Sequence, residues 1–193
     1  MSDAVGPAPG SADASRSPAP GDLKLVQDLV NTLDLEAGED ELDRPEAAAR
    51  WLRERRLLGT GERVDDRDLN ALVEVREALR DLARANGGAP LPARTLETLR
   101  RHSEASPVAV RLAGRRSALV PAAPGVRGAI AVLLGVVHDA TVDGTWPRVK
   151  GCRDDRCQSV FYDASRNRSS AWCSMAVCGN RAKARAFRRR RHG

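Results

Sequence analysis

Apolar residues recur every three or four positions between residues 22 and 105, which is the spacing of amphipathic α-helices. We predict four helices: one after Asp22, one opening near Pro45, one after Asp65 or Asp66, and one from Ala93 to His102. Their predicted packing faces contain Leu23, Val26, Leu29, Val30 and Leu33, then Ala48, Trp51 and Leu52, then Leu69 to Leu82, then Leu96 and Leu99. The third helix is expected to end at Asn86-Gly87-Gly88, because glycine favours helix termination.

The period changes to two after residue 105. Val108, Val110 and Leu112 alternate with smaller or polar residues. A turn is predicted at Gly114, and apolar residues follow again at Leu119-Val120. This alternation predicts a β-hairpin. Residues 125–142 are apolar nearly all round, which favours a central, buried helix. The longest apolar run, 129–137, is shorter than the roughly 20 residues needed to span a bilayer, so no membrane segment is expected. The predicted fold is mainly α with one small β-hairpin.

Composition and charge divide the chain into three predicted parts. Residues 1–21 are rich in Pro, Gly, Ala and Ser and are expected to form a disordered arm. Residues 22–146 form the helical domain, and residues 147–193 form a basic module ending in a basic helix. From Arg148 onward there are 13 Lys/Arg and 3 Asp, a net charge of +10, whereas the first 147 residues have a net charge of −4. This difference favours a polyanionic partner for the module.

All four cysteines of the chain lie in the basic module, with the spacing C-x4-C-x15-C-x4-C. Two close pairs that converge on one point suit a tetrahedral zinc with no open position, which is a structural and not a catalytic ion. We therefore predict a zinc-ribbon or treble-clef-like module with one Zn²⁺ bound to Cys152, Cys157, Cys173 and Cys178. An iron–sulfur cluster also uses four thiolates, and metal-free buried thiols are the simpler alternative. No secretory signal is visible, so a reducing cytoplasm is expected.

The chain after the last cysteine is predicted to be a helix that binds nucleic acid. Helical spacing places Arg181, Arg185 and Arg188 on one face, with Arg189 at its flank. Lys183 in the same helix, and Arg166 and Arg168 between the cysteine pairs, are further predicted contacts. Five or six phosphate contacts give a salt slope of about −5 in log–log terms. The alternative is a solvated basic tail without a partner.

The finger segment also resembles a known family. Cys178-Gly179-Asn180-Arg181, preceded by the segments 161–167 and 172–175, resembles the CGNR zinc-finger family. Its members join this finger to an N-terminal ABATE domain, described as a stress-induced transcription regulator, and Leu29-Val30-Asn31-Thr32 resembles the opening motif of that domain. The resemblance implies the same four zinc ligands and a DNA-binding regulator. Family members often have basic residues just before the Trp, where this chain has Ser169-Ser170-Ala171, so phosphate contacts from those positions are not expected.

Asn31 and Thr32 are two small polar residues on the apolar face of the first helix. They either line a pocket for a small-molecule effector or hydrogen-bond to nearby backbone. No catalytic constellation is recognised, and we expect no enzyme. The resulting hypothesis is a DNA-binding transcription regulator whose helical domain senses a ligand or forms a homodimer. RNA binding, or a basic finger that binds an acidic protein, are the alternatives.

Overall fold

The structure is a computed structural model that describes residues 17–192 of the 193-residue chain. The predicted arm therefore lies outside the described residues up to position 16. The helices are α1 Leu23–Val30, α2 Pro45–Glu54, α3 Asp66–Asn86, α4 Ala93–Ala105, α5 Gly125–Val142 and α6 Asn180–His192. The strands are β1 Leu33–Asp34, β2 Glu39–Asp40, β3 Val108–Ala113, β4 Arg116–Pro121, β5 Val149–Gly151 and β6 Val160–Tyr162. They form three antiparallel pairs, β1–β2, β3–β4 and β5–β6.

The predicted helix starts are confirmed, and those of α2 and α3 have a local cause. Pro45 occupies the first turn of α2, where its missing N–H costs no hydrogen bond. Asp65 and Asp68 form a reciprocal capping box at the start of α3, which satisfies two backbone N–H groups. Asp22 occupies the N-cap position of α1 but makes no side-chain cap bond. Trp51 is buried as expected, and the Arg55 guanidinium lies 4.0 Å from the centre of its ring.

Two details of the predicted helix faces are wrong. The first helix ends at Val30, and Leu33 pairs with Asp40 in the short β1–β2 ladder. The Thr32 hydroxyl donates to the Leu29 carbonyl, and the Thr32 carbonyl accepts from Glu41, so the chain turns here. On α4, Leu96 is 58% exposed, whereas Thr95 and His102 are buried. Hydrogen bonds to Asp81 and Glu74 on α3 make that burial favourable for the two polar side chains.

The β3–β4 hairpin is confirmed. Its register runs from Val108↔Pro121 to Ala113↔Arg116, and Gly114 takes the positive φ of 61° that the tight turn requires. Every residue of β3 is exposed. The hairpin therefore lies outside the core, which sequence alternation alone did not predict.

Helix α5 packs in the core, but less completely than its composition predicts. Val126, Ala129, Ile130 and Leu133 are buried, and α5 lies against α1, α3 and α4. By length and composition alone, α5 could cross a membrane, with a mean hydropathy of 1.4 over its 18 residues. Its contacts are those of a core helix, although only 39% of the segment is buried. Strand β4 also packs against α5, and apolar residues of α5 outside the core, including Val132 and Val136, are half-buried.

The finger and the helical domain share one core. Val149 of β5 and Val160 of β6 are buried in the same cluster as the apolar faces of α1 and α3. The Asn86 side chain at the end of α3 donates to the Trp146 and Val149 carbonyls. A Cβ at Gly151 would collide with Arg84, so α3 and β5 are in close contact. The first half of the finger is therefore part of the main body of the protein.

Residues 17–21, which composition assigns to the arm, also pack against this body. The Tyr162 N–H of β6 donates to the Ser17 carbonyl, and Ala19 is buried. The Ala19 N–H donates to Oε1 of Gln27 at 2.6 Å.

Candidate metal centre and nucleic-acid interface

The four cysteine sulfurs converge from two turns. Cys152 follows β5, and Cys157 closes a tight turn in which its N–H donates to the Asp154 carbonyl. Cys173 precedes a π-helical turn, Met175–Gly179, that contains Cys178. All four sulfurs lie within 4.8 Å of one another, and all four side chains are buried. The Sγ–Sγ distance is 3.5 Å for Cys157–Cys173 and 3.7 Å for Cys173–Cys178.

These distances fit a tetrahedral zinc. With Zn–S bonds of about 2.3 Å, the edges of an S₄ tetrahedron are about 3.8 Å long. Four protein thiolates fill such a site, so the ion would have no position for substrate or water. We predicted one structural zinc site with four cysteine ligands. The structure confirms it, because these four cysteines form a cluster that can hold one metal ion.

The thiol acidities show why the cluster needs a cation. A hydrogen bond from Cys152 lowers the pKa of Cys157, and the same pairing raises the pKa of Cys152 to about 12. The pKa of Cys173 is also raised, by its contacts with Cys152 and Cys157 and by burial. One negative charge is thus shared by several sulfurs, since ionising all of them side by side is unfavourable. A divalent ion replaces the shared protons.

The residues after Cys178 support this centre. A Cβ at Gly179 would collide with the Met175 sulfur, so glycine allows that side chain to cover the turn. The Asn180 amide donates to the Ala176 carbonyl at 2.9 Å and stabilises the transition into α6. Nη2 of Arg181 lies 3.3 Å from Sγ of Cys178. Such a contact offsets the net negative charge that four thiolates leave on a divalent ion.

Arg181 also joins the finger to the helical domain. Its guanidinium donates to both oxygens of Glu36, in the β1–β2 turn, at 2.5 and 2.8 Å. The hydrogen bond to Glu36 is the main reason why the pKa of Arg181 is raised. Nε of Arg181 lies 3.2 Å from Oδ2 of Asp154, an ion pair without hydrogen-bond alignment.

The predicted arginine face of α6 is only partly free. Asp154 is 1% exposed and lies beneath this face, where Arg185 approaches its Oδ1 to 3.4 Å in addition to Arg181. Arg188 and Arg189, one turn further on, are exposed. The structure therefore divides the predicted face into an inner pair bound to an acidic side chain and an outer pair open to solvent.

The loop between the cysteine pairs is held by Asp163. Its buried carboxylate accepts from Nζ of Lys150 at 2.8 Å, from the Ser165 hydroxyl at 2.6 Å and from the Ser170 N–H at 3.0 Å. Burial alone would raise the pKa of Asp163, but these donors hold it well below its usual range. Lys150 also donates to the Arg168 carbonyl. Ser170 is thus part of this loop's internal bonding.

Eight basic side chains of the finger are exposed and have no hydrogen-bond or ion-pair partner within residues 17–192. We call them the exposed cation set. They are Arg156, Arg166, Arg168, Lys183, Arg188, Arg189, Arg190 and Arg191. Five of the seven predicted nucleic-acid contacts belong to it, whereas Arg181 and Arg185 do not.

Phe187 is an exposed aromatic residue that sequence reasoning missed. It is 54% exposed on α6, and the Arg191 guanidinium lies 5.8 Å from the centre of its ring. The detectable signal was one aromatic side chain within a run of arginines, in a chain with only 3% aromatic residues.

Asn31 lies at the junction of the helical domain with the finger. Its amide donates to the Val160 carbonyl at 2.9 Å, and its oxygen accepts from the Val160 N–H at 2.8 Å. Gln27, one turn earlier, donates to the same carbonyl. Thr32 is bonded instead to the Leu29 carbonyl and to Nη1 of Arg76. Both predicted pocket residues are therefore engaged in the protein's own hydrogen bonds.

A buried arginine completes this junction. Arg80 of α3 is 2% exposed and donates to the Val30 carbonyl at 2.7 Å and to the Gln158 carbonyl, next to Cys157, at 3.2 Å. Its pKa is lowered because burial removes the guanidinium from water. Helix α1, helix α3 and the first zinc turn thus meet at one buried charge. No sequence motif indicated this role.

Comparison with known proteins agrees with this two-part architecture. The family model of the CGNR zinc finger matches residues 148–191, and the model of ABATE, described as a putative stress-induced transcription regulator, matches residues 23–143. No protein of curated function matches the sequence. Since the ABATE match covers more than half of the chain and the finger match follows it directly, the chain belongs to the ABATE family and has a CGNR zinc finger as its C-terminal part.

Proposed function

We propose that the protein is a transcription regulator that binds duplex DNA through its zinc finger. The exposed cation set is the observation on which the proposal rests. Unpaired guanidinium groups are available for phosphate oxygens, whereas paired ones would first have to leave an acidic partner. The family description as a transcription regulator points in the same direction.

The proposal also gives each part of the finger a role. Zinc and Asp163 fix the backbone from which Arg166 and Arg168 extend. Helix α6 carries five more members of the exposed cation set, four of them beyond its paired first turns. A rigid set of donors loses less conformational entropy on binding than a flexible basic tail. This favours a defined orientation on DNA over a diffuse attraction.

The test is a salt-dependent titration of duplex DNA with the zinc-loaded full chain. A triple variant, Arg188→Gln, Arg189→Gln and Arg190→Gln, should flatten the log–log salt slope by about 2.7, at roughly 0.9 per lost phosphate contact. The matched control changes Arg50, Arg63 and Arg67 to Gln. These are exposed and unpaired arginines of the helical domain, so the total charge falls equally.

Two results would refute the proposal. One is the absence of DNA binding by the zinc-loaded protein at low salt. The other is an equal flattening of the salt slope in both triple variants, which would show that DNA binding depends only on the net charge of the protein. Removal of zinc should abolish binding by the wild type, because the finger then loses the geometry that orients its cations.

RNA binding is the second candidate, and Phe187 is the observation that favours it. Exposed aromatic side chains beside cations stack on unpaired bases, which single-stranded RNA offers and duplex DNA does not. Competition between a DNA duplex and a single-stranded RNA of equal charge, at matched salt, separates the two. Selective loss of RNA binding in Phe187→Ala would favour RNA.

Several further expectations belong to this proposal. We place the protein in the cytoplasm, where free thiols stay reduced and available for zinc. A response to stress is proposed on the family description alone. A small-molecule effector stays a prediction without a located site, because Asn31 and Thr32 are occupied by internal hydrogen bonds. Binding of an acidic protein by the exposed cation set is the outcome expected if nucleic acid fails to bind.

A further inference from the structure

We infer that two copies of this chain associate by antiparallel pairing of their β3 strands. Among the described residues, β3 pairs only with β4, and its other edge is open. All six of its residues are exposed. An open edge is a row of unpaired backbone groups that can accept another strand.

The hairpin register shows which backbone groups face the open edge. The Ala122 N–H donates to the Pro107 carbonyl, so these two residues form a hydrogen-bonded pair. Hydrogen-bonded and non-hydrogen-bonded pairs alternate along an antiparallel ladder. The odd-numbered residues of β3 therefore bond to β4, and Val108, Val110 and Leu112 direct their N–H and C=O groups outward.

The same three residues have large apolar side chains exposed to solvent. Val108 is 45% exposed, Val110 65% and Leu112 77%. Natural edge strands usually avoid pairing through lysine, proline or a bulge. Strand β3 contains no proline or bulge, Arg111 is its single charged residue, and its register is unbroken from Val108 to Ala113. A strand with these properties is stable in solution when another strand covers it.

The strand is complementary to itself. If a two-fold axis passes beside Val110, Val110 opposes Val110 of the second copy, and Val108 opposes Leu112. This register pairs the three outward-bonding residues of one copy with those of the other. It also places Arg111 opposite Ala109, so that no like charges face each other. A two-fold contact of this kind closes on itself and does not propagate into a fibre.

An apolar groove lies beside β3. The hairpin and α5 border a groove of about 490 Å³ whose apolar lining includes Val108, Val110, Leu119, Val132 and Val136. In the proposed register, Leu112 lies beside Val108 of the second copy, at the mouth of its groove. Pairing of the two β3 strands would join the two hairpins into one four-stranded antiparallel sheet with β4 at its outer edges. The half-buried α5 residues Val132 and Val136 lie in the groove beside β3.

The first test is the mass of the zinc-loaded full chain in solution without nucleic acid. We expect twice the 20.8 kDa of one chain. Val110→Lys would set two like charges opposite each other at the axis and should give the single-chain mass. Leu96→Lys, at an exposed leucine of α4 outside the hairpin, is the matched control and should leave the dimer intact. Unchanged zinc content shows that each variant is folded.

The second test fixes the register. Residues in a hydrogen-bonded antiparallel pair have Cα atoms about 5.5 Å apart, within the range of a disulfide. Val110→Cys should therefore form a covalent dimer that reductant releases, whereas Val108→Cys alone should not. Mixing Val108→Cys with Leu112→Cys should restore the link. Wild type oxidised in parallel accounts for links through the zinc cysteines.

A wild-type chain that keeps the single-chain mass at every concentration would overturn the inference. So would a dimer that persists in Val110→Lys while Val110→Cys fails to cross-link, since the contact would then lie elsewhere. Because nucleic acid is absent from both tests, their failure leaves the proposed DNA binding standing. Failure of DNA binding likewise leaves the dimer intact.

Discussion

The inner and outer arginines of this protein have opposite environments. Arg181 and Arg185 both face Asp154, and Arg181 is also bound to Glu36 and to the Cys178 sulfur. Arg188 and Arg189, on the same helix as Arg181, are exposed and without a partner within the described residues. A paired guanidinium stabilises the structure around it, whereas an unpaired one can bind an external anion. The net charge of the finger is therefore larger than the charge that is available to bind nucleic acid.

The two halves of the finger show the same contrast at a larger scale. The first half, with Cys152 and Cys157, joins the main core through β5 and β6. Cys173 and Cys178 of the second half lie outside that core, in a small cluster that they form with Cys152, Cys157, Phe161 and Trp172. The first half can keep its fold through tertiary contacts, whereas the second depends on the metal. Four predictions test this difference.

Replacing a zinc ligand should have the largest effect. Cys173→Ser removes one thiolate, and structural zinc contributes about 10–16 kcal/mol of apparent binding free energy in finger peptides. We expect loss of zinc and of hydrogen-exchange protection around Trp172, with protection of β5 and β6 retained. Ser169→Ala, at an exposed position in the same loop, is the control. An equal loss of hydrogen-exchange protection in both halves of the finger would show that the first half also depends on the metal.

Asp163→Asn should be next in size. It removes the charge that pairs with the buried Lys150 ammonium, and breaking a buried pair costs about 3–5 kcal/mol. Denaturant unfolding of the zinc-loaded protein measures this. Because the folded pKa lies below the unfolded value of about 3.9, the stabilisation is complete above that pH and is lost as pH falls through the folded pKa.

The difference between wild type and Asp163→Asn should consequently be constant between about pH 5 and 8. Asp155→Asn, at an exposed aspartate of the same finger, should change stability by less than about 0.5 kcal/mol. A difference that changes through neutral pH would assign the effect to another group.

Asn31→Ala tests the attachment of the finger to the helical domain. It removes two hydrogen bonds to Val160 and leaves the buried Val160 N–H unsatisfied, whereas the carbonyl still accepts from Gln27, at a cost of about 2 kcal/mol. The Val160 N–H should exchange faster with solvent, and zinc should remain bound. Asn70→Ala, on the exposed side of α3, is the control. Unchanged exchange at Val160 would show that the attachment does not depend on Asn31.

The smallest effects should separate an inner from an outer arginine. Arg181→Ala removes the donor to the Cys178 sulfur and should weaken zinc binding by about 10- to 100-fold, measured by competition with a chelator. Arg188→Ala should leave zinc binding unchanged and flatten the salt slope of DNA binding by about 0.9. Equal effects of both variants on zinc would remove the distinction between the inner and outer arginines.

Much of the fold follows from local pattern. Helices with strong apolar periodicity, the start of α3 after Asp65 and the alternation in β3 were predicted because each depends on neighbouring residues. The exposure of Leu96 and the end of α1 at Val30 were not predicted. Both depend on partners distant in sequence, such as Glu41, Asp81 and Glu74.

By itself, the sequence determined the metal site of this protein. Four cysteines at close spacing, followed by Gly179-Asn180-Arg181, are sufficient because ligand chemistry and turn geometry are local. Only the tertiary structure decided which charges are available. Asp154, Glu36 and Asp163 pair with basic side chains that stand up to 145 positions away. The sequence gives the number of charged residues, but only folding brings opposite charges close enough to neutralise one another.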